Sequence, residues 1–179
     1  MWRGPARRYF LGGLILGGAV MGLLLGIAGT LLGALLPRWL SFGAWLLAAA
    51  VIAGAELLGK RLPLPQNARA VPQEIITSGS HSGPLQFGFE MGTGVRTFMP
   101  SGVPHIVAIG LILTGSPLVG LVAGIGFGLG RAAMTVTRGA SPEPRGWDAR
   151  LFQARRALSA ITALTALALA VALTRAGGG

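Results

Sequence analysis

The polar side chains that could do chemistry lie together in one otherwise apolar stretch, residues 84–115. They comprise a carboxylate, a guanidinium and three hydroxyls: Glu90, Thr93, Arg96, Thr97 and Ser101. Ionisable groups at membrane depth are costly, and they usually face a bundle interior or a water-filled cavity. These residue types therefore predict a polar path for a substrate or an ion. A proton relay through Glu90 is one form that such a path can take.

The spacing of these residues predicts which of them share a helix face. In a regular helix over residues 87–99, each residue is turned by about 100° from the one before it. One face then carries Glu90, Thr93, Thr97 and Ser101. On the same helix Arg96 lies roughly 120° away from Glu90. We therefore expect Arg96 to meet another helix, a backbone carbonyl or a bound anion rather than Glu90.

Two prolines four residues apart, Pro100 and Pro104, predict that this helix is broken. Proline lacks the N–H of a helical residue and conflicts with the carbonyl four residues earlier. In transporters, broken helices place freed backbone groups around a substrate near the bilayer midplane. The competing interpretation is structural, because kinks and polar residues also join membrane helices without any transport role.

The elements that must position these residues are membrane helices. Only 11% of the 179 residues are charged, and the mean hydropathy is +0.66, which is typical of a transmembrane protein. We predict an all-α, polytopic integral membrane helical bundle that forms a single domain over residues 1–179. About five transmembrane helices are expected, at residues 10–36, 39–58, 84–114, 117–137 and 157–174, and the third of them is broken by proline. Polar connections are expected at residues 59–83 and 138–156.

The stretch 84–115 leaves two arrangements open. It is too long for one straight crossing of about 30 Å and short for two full crossings. One arrangement is a single broken crossing, and the other is a re-entrant hairpin with its tip near residues 100–104. The distribution of basic residues favours the broken crossing.

The basic residues predict the orientation of the chain. Of the 15 lysines and arginines, Arg38 and Arg175 fall on one side of the five crossings, Arg96 and Arg131 lie within helices, and the other 11 fall on the opposite side. By the positive-inside rule, the N-terminus is cytoplasmic in a bacterial inner membrane, and residues 59–83 and 138–156 are cytoplasmic loops. These clusters account for the net charge of +10. We expect them to contact anionic lipid, and we expect no nucleic-acid partner.

Glycines spaced four residues apart predict close helix packing. The candidate packing residues are Gly18, Gly22 and Gly26 in the first helix and Gly120, Gly124 and Gly128 in the fourth. Such spacing lets the backbone of another helix approach. General enrichment in glycine, with 30 glycines in the chain, is the alternative explanation.

The other ionisable and metal-ligating residues favour structural roles. Glu56 has Lys60 as a natural partner four residues later, and His105 is expected at the outer interface. The chain has no cysteine and two histidines, so we expect no disulfide, no metal and no cofactor. No nucleophile–base set or phosphate-binding loop is present in the sequence, so we do not expect an enzyme.

A resemblance to a known family begins at residues 98–104, FMPSGVP. This segment resembles the Pro-Cys-x-x-Pro kink of thiol–disulfide electron transporters of the cytochrome-c-biogenesis (CcdA/DsbD) type, with Ser101 in place of the cysteine. The glycine-rich segments at residues 88–97 and 124–132 are similar to those of the wider LysE-like superfamily and of small membrane proteins of high-GC bacteria. The resemblance implies a kinked central helix and transport. Electron transfer does not carry over, because a serine hydroxyl has no comparable redox couple. That family also has six helices in two inverted halves, where five helices are expected here.

Two function hypotheses follow. The first is a small bacterial inner-membrane transporter-like protein, oligomeric, with its polar site at the broken central helix. The alternative is a non-catalytic structural or assembly subunit of a larger membrane protein complex. In that case the glycine faces would pack against partner subunits, and the basic loops would contact a cytoplasmic subunit or anionic lipid.

Overall fold

The computed structural model describes residues 4–60, 62–65, 81–95 and 101–177, and within these residues the secondary structure is entirely helical. The named helices are α1 (Pro5–Gly33), α2 (Arg38–Leu57), α3 (Ser82–Gly92), α4 (Val103–Thr114), α5 (Pro117–Ala140) and α6 (Pro144–Gly177). The predicted all-α class is confirmed for the described part of the chain.

Three of these helices are long and apolar enough to cross a membrane. They are α1, α2 and α5, with 29, 20 and 24 residues. At 1.5 Å per residue, 20 residues span about 30 Å, which matches the hydrocarbon core of a bilayer. These helices fit a membrane-embedded protein. The number of five crossings stays a prediction, because α3 and α4, with 11 and 12 residues, are each too short to cross alone.

The second predicted cytoplasmic loop, residues 138–156, is mostly helical. Helix α5 continues to Ala140 and α6 begins at Pro144, so only residues 141–143 lie outside a helix. Proline is favoured at the first position of a helix because its missing N–H would have no partner there. The arginines and leucine that follow are good helix formers. The apolar part of α6, Arg156–Ala168, is shorter than the crossing predicted at residues 157–174.

The described residues form two compact units. Unit 1 comprises those of Met1–Leu24, Pro65–Met99 and Pro117–Ala140, and unit 2 comprises those of Leu25–Leu64, Pro100–Ser116 and Ser141–Gly179. Unit 1 therefore holds the first part of α1 together with α3 and α5. Unit 2 holds the end of α1 together with α2, α4 and α6. The single domain stays a prediction.

Unit 1 is held together by close backbone packing around α1. A Cβ at Gly22 would overlap the carbonyl oxygen of Gly120, and a Cβ at Gly18 would overlap that of Gly124. Because higher residue numbers on α1 meet lower numbers on α5, these two helices run antiparallel. The structure thus brings together four of the predicted packing glycines. A fifth, Gly128, lies against the α1 backbone.

On a neighbouring face α1 contacts α3. A Cβ at Gly13 would overlap the carbonyl oxygen of Leu85, and a Cβ at Gly17 would overlap that of Phe89. Since residue numbers rise together, α1 and α3 run parallel. The small apolar core beside these contacts contains Leu14, which is 1% exposed, and also Phe10, Ala132, Leu11, Phe87 and Met91.

Unit 2 has a larger apolar core that joins α2, α4 and α6. Its buried members are Trp45, Ala49, Ile52, Ala53, Ile106 and Ala163. The indole Nε1 of Trp45 donates a hydrogen bond to the carbonyl oxygen of Ile106 at 3.0 Å. This bond satisfies the one polar group that the large ring carries. Gly26 of α1, the sixth predicted packing glycine, belongs to this unit by residue number and is buried.

Candidate functional site

Helix α3 ends earlier than the sequence predicts. Its last residue is Gly92, Thr93 caps it, and Gly94 adopts a positive φ of 74°. Residues with a side chain rarely take this left-handed conformation, and a glycine in it commonly terminates a helix. The prediction of one regular helix over residues 87–99 is therefore wrong. The shared face of that helix cannot be extended from Glu90 and Thr93 to residues further along the chain.

The polar groups at the end of α3 bond to one another. The amide Nε2 of Gln86 donates to Glu90 Oε1 at 3.3 Å. The hydroxyl of Thr93 donates to the carbonyl oxygen of Glu90 at 2.7 Å, and the N–H of Val95 donates to Thr93 Oγ1 at 3.4 Å. Thr93 therefore stabilises the end of the helix. Glu90 remains the ionisable member of this cluster, and its residue is partly buried.

Pro104 is the second residue of α4 and lies at the start of this helix, not in its interior. Gly102 is the N-cap of α4, and Pro104 lies in the first turn, where no intrahelical bond requires its N–H. The hydroxyl oxygen of Ser101 accepts a hydrogen bond from the N–H of Val103 at 3.1 Å. His105 lies in the same first turn and is half-buried. Ser101 and Pro104 thus both support the start of α4.

A carboxylate from another helix completes the start of α4. Oε1 of Glu56, near the end of α2, accepts a hydrogen bond from the N–H of Gly102 at 2.5 Å. A carboxylate is favoured at a helix N-terminus because the free N–H groups and the helix dipole carry positive charge there. The sequence indicated Lys60 as the partner of Glu56. The structure provides a backbone N–H that lies 46 residues away along the chain.

The glycine at position 102 makes this contact sterically feasible. A Cβ there would lie 2.7 Å from Cγ2 of Ile52 and 2.9 Å from Cδ1 of Leu64. A larger residue would push the helix start away from the α2 surface. Two signals in the sequence could have indicated this site. One is the acidic residue Glu56 in an apolar helix, and the other is Gly102 directly before a Val-Pro pair that can start a helix.

The predicted site residues are therefore divided. Glu90 and Thr93 lie in unit 1, and Ser101 and Pro104 lie in unit 2. Arg96, Thr97 and Pro100 fall outside the described residues. The structure adds Glu56 to the cluster in unit 2. Among the described residues, no group of three or more histidine, aspartate or glutamate side chains could hold a metal ion.

No protein-family model matches this chain, and neither a curated protein nor a solved structure shows significant similarity to it. The resemblance of residues 98–104 to the CcdA/DsbD type therefore stays a prediction. Of this segment the structure describes residues 101–104, which form the start of α4.

Proposed function

We propose that this chain is a small transporter-like membrane protein that conducts a proton or a small cation along a polar path that includes the start of α4. The observation that carries the proposal is the bond from the Gly102 N–H to the Glu56 carboxylate. A carboxylate can accept a proton or bind a cation, and either event competes with the N–H that it holds. Such exchange is the basis of carboxylate relays in membrane transporters.

The lengths of the two short helices support this proposal. At 1.5 Å per residue, α3 and α4 extend about 17 and 18 Å, little more than half of a bilayer core. Helix ends within a membrane leave backbone groups that need partners, and these are tolerated where they line a cavity. In unit 1, Glu90 and Thr93 supply polar groups of this kind at the end of α3. In unit 2, Ser101 and the Glu56 side chain from α2 supply them at the start of α4. We retain Arg96 and Thr97 as members of the path on the basis of the sequence.

The membrane arrangement is also part of the proposal. Five crossings with a cytoplasmic N-terminus in a bacterial inner membrane place most basic residues on the cytoplasmic side. In this arrangement residues 84–114 form one broken crossing. The basic cytoplasmic residues then lie close enough to the bilayer surface to attract anionic lipid.

Flux through reconstituted protein tests the proposed path. Vesicles that contain the protein and either a pH-sensitive or a potassium-sensitive dye should show flux above that of empty vesicles. We expect the flux to fall toward the empty-vesicle rate in Glu56→Gln, Glu90→Gln and Arg96→Ala. Glu143→Gln is the matched control, because Glu143 is exposed in the short connection between α5 and α6. Equal flux in all variants would show that the substituted residues do not belong to the conducting path. Absence of both proton and potassium flux would refute a proton or cation path.

A second candidate function, a structural subunit of a membrane complex, is favoured by the open glycines of α5. Cβ atoms at Gly126 and Gly130 would meet nothing within 4 Å, whereas Gly124 and Gly128 are packed within unit 1. Gly126 and Gly130 have the four-residue spacing that lets helices approach. Native mass spectrometry after gentle detergent extraction discriminates between the candidates. Stoichiometric foreign subunits would support the structural role, and a homo-oligomer alone would count against it.

A further inference from the structure

Unit 2 contains a cavity beside the connection between α1 and α2. Its volume is about 310 Å³, which is at the lower end of the range for small-ligand pockets. The residues that matter for its chemistry are Thr30, Arg38, Ser41, Phe42, Leu113 and Gly115. They come from the end of α1, the start of α2 and the end of α4. None of them belongs to the path proposed above.

The unpartnered hydroxyl of Ser41 is the feature of this cavity that indicates a ligand. Its side chain lines the cavity and is 4% exposed, and its hydroxyl oxygen has no hydrogen-bond partner. Buried polar groups are normally hydrogen-bonded because removing them from water without a partner is costly. A bound polar group in the cavity would supply the missing partner.

The cavity wall combines one cationic side chain with helix ends that carry partial charges of both signs. Arg38 lines the cavity and is the first residue of α2, where the positive end of the helix dipole lies. Thr30 lies in the last turn of α1, and Leu113 lies in the last turn of α4. The final carbonyl groups of a helix have no intrahelical partner and form the negative end of its dipole. A ligand with one anionic and one cationic group complements this wall better than a simple anion does.

The surroundings of the cavity indicate that this ligand is lipidic. Phe42 and Leu113 add apolar surface to the wall. Next to Arg38, Trp39 is 76% exposed, and Leu35 on the other side of the connection is 78% exposed. Exposed indole rings beside basic residues are typical of the level of lipid headgroups.

We propose that this cavity binds the zwitterionic phosphoethanolamine headgroup of a membrane phospholipid. The phosphate is bound by the Arg38 guanidinium and the Ser41 hydroxyl. The primary ammonium donates hydrogen bonds to carbonyl groups at the ends of α1 and α4. A trimethylammonium headgroup has no N–H to donate, and a glycerol headgroup has no positive charge, so both should bind more weakly.

Lipid retention by the purified full-length chain tests this proposal. Delipidated protein is titrated in detergent with phosphatidylethanolamine, phosphatidylglycerol or phosphatidylcholine, and native mass spectrometry counts the bound lipids. We expect one phosphatidylethanolamine to be retained in preference to the other two. Losing a hydrogen bond to a charged group should weaken retention about tenfold in Arg38→Gln and in Ser41→Ala. Arg8→Gln, at an exposed arginine near the other end of α1, should retain the lipid as the unsubstituted chain does.

Three outcomes would overturn the proposal. Equal retention of all three lipids would show that the headgroup is not recognised. Equal losses in Arg8→Gln and Arg38→Gln would indicate general attraction to basic residues. Displacement of the lipid by inorganic phosphate or free phosphoethanolamine at equal concentration would assign the cavity to a soluble ligand. Ser41→Ala removes a single oxygen, so it tests the assignment even where Arg38→Gln fails to fold.

Discussion

The carboxylate of Glu56 accepts a hydrogen bond from the backbone N–H of Gly102, with 2.5 Å between Oε1 and the amide nitrogen. This bond attaches the end of α2 to the start of α4, a helix of 12 residues. The ionisable carboxylate thereby bonds to an N–H at the start of a helix, which has no acceptor within the helix itself. The stability of this part of unit 2 and the proposed conduction therefore depend on the same side chain.

Glu56→Ala should lower the free energy of unfolding by about 1 to 3 kcal/mol, because the Gly102 N–H loses its acceptor. Glu56→Gln keeps an acceptor oxygen without the charge, so its loss should be smaller. Unfolding by sodium dodecyl sulfate in mixed micelles measures both. Glu143→Ala serves as the exposed control. An equal change in Glu56→Ala and Glu143→Ala would show that the bond contributes nothing to stability.

Gly22→Ala should destabilise unit 1, because the new Cβ would overlap the carbonyl oxygen of Gly120 and force α1 and α5 apart. Overpacking of this kind costs about 1 to 3 kcal/mol. Gly12→Ala is the matched control on the same helix, since a Cβ at Gly12 meets nothing within 4 Å. Helix propensity alone should make that control neutral or slightly stabilising. Thermal unfolding that ranks the two variants equally would contradict the close approach of the two helices.

Gly94→Ala should cost about 1 to 2 kcal/mol, because alanine is disfavoured at the positive φ that follows α3. Gly94→Asn should cost less, since asparagine tolerates this conformation better than alanine does. The two variants can be compared by chemical unfolding under identical detergent conditions. If alanine is tolerated as well as asparagine, α3 does not end in the left-handed turn at Gly94.

Single-cysteine labelling separates the broken crossing from the re-entrant hairpin. The chain has no cysteine, so Ser116→Cys and Ser141→Cys each provide one unique thiol. With a broken crossing, a membrane-impermeant maleimide added to intact cells labels position 116 from outside and leaves position 141 unlabelled. The hairpin reverses both results, because it returns the chain to the cytoplasmic side before α5. Labelling of both positions in permeabilised cells controls for access.

Much of the fold was predictable from local patterns. The apolar runs of α1, α2 and α5 identified the three helices that are long enough to cross a membrane, because an uninterrupted apolar run of about 20 residues can be read directly from the sequence. The four-residue glycine spacing in α1 and α5 also pointed to the surfaces that meet, since small side chains are what permits close approach. The break of one helix by Pro100 and Pro104 stays a prediction, because α3 already ends at Gly92 and residues 96–100 fall outside the described part of the chain.

The length of α6 was not predicted. Residues 138–156 were expected to form a polar connection, yet Pro144 starts a helix and the arginines after it sustain that helix. Proline and arginine occur both in polar connections and in the first turns of helices. The local sequence therefore did not distinguish a connection from a helix in this segment.

By itself, the sequence determined the helical class, the apolar lengths of the three long helices and the placement of basic residues, because each depends on neighbours within a few turns. Only the tertiary structure decided which partner each polar group has. Glu56 meets Gly102 and not Lys60, and Ser41 lines a cavity beside Arg38, because distant segments pack on α2. Such contacts depend on where separate helices approach each other, and the spacing of residues within one helix does not identify the distant atom that a polar side chain meets.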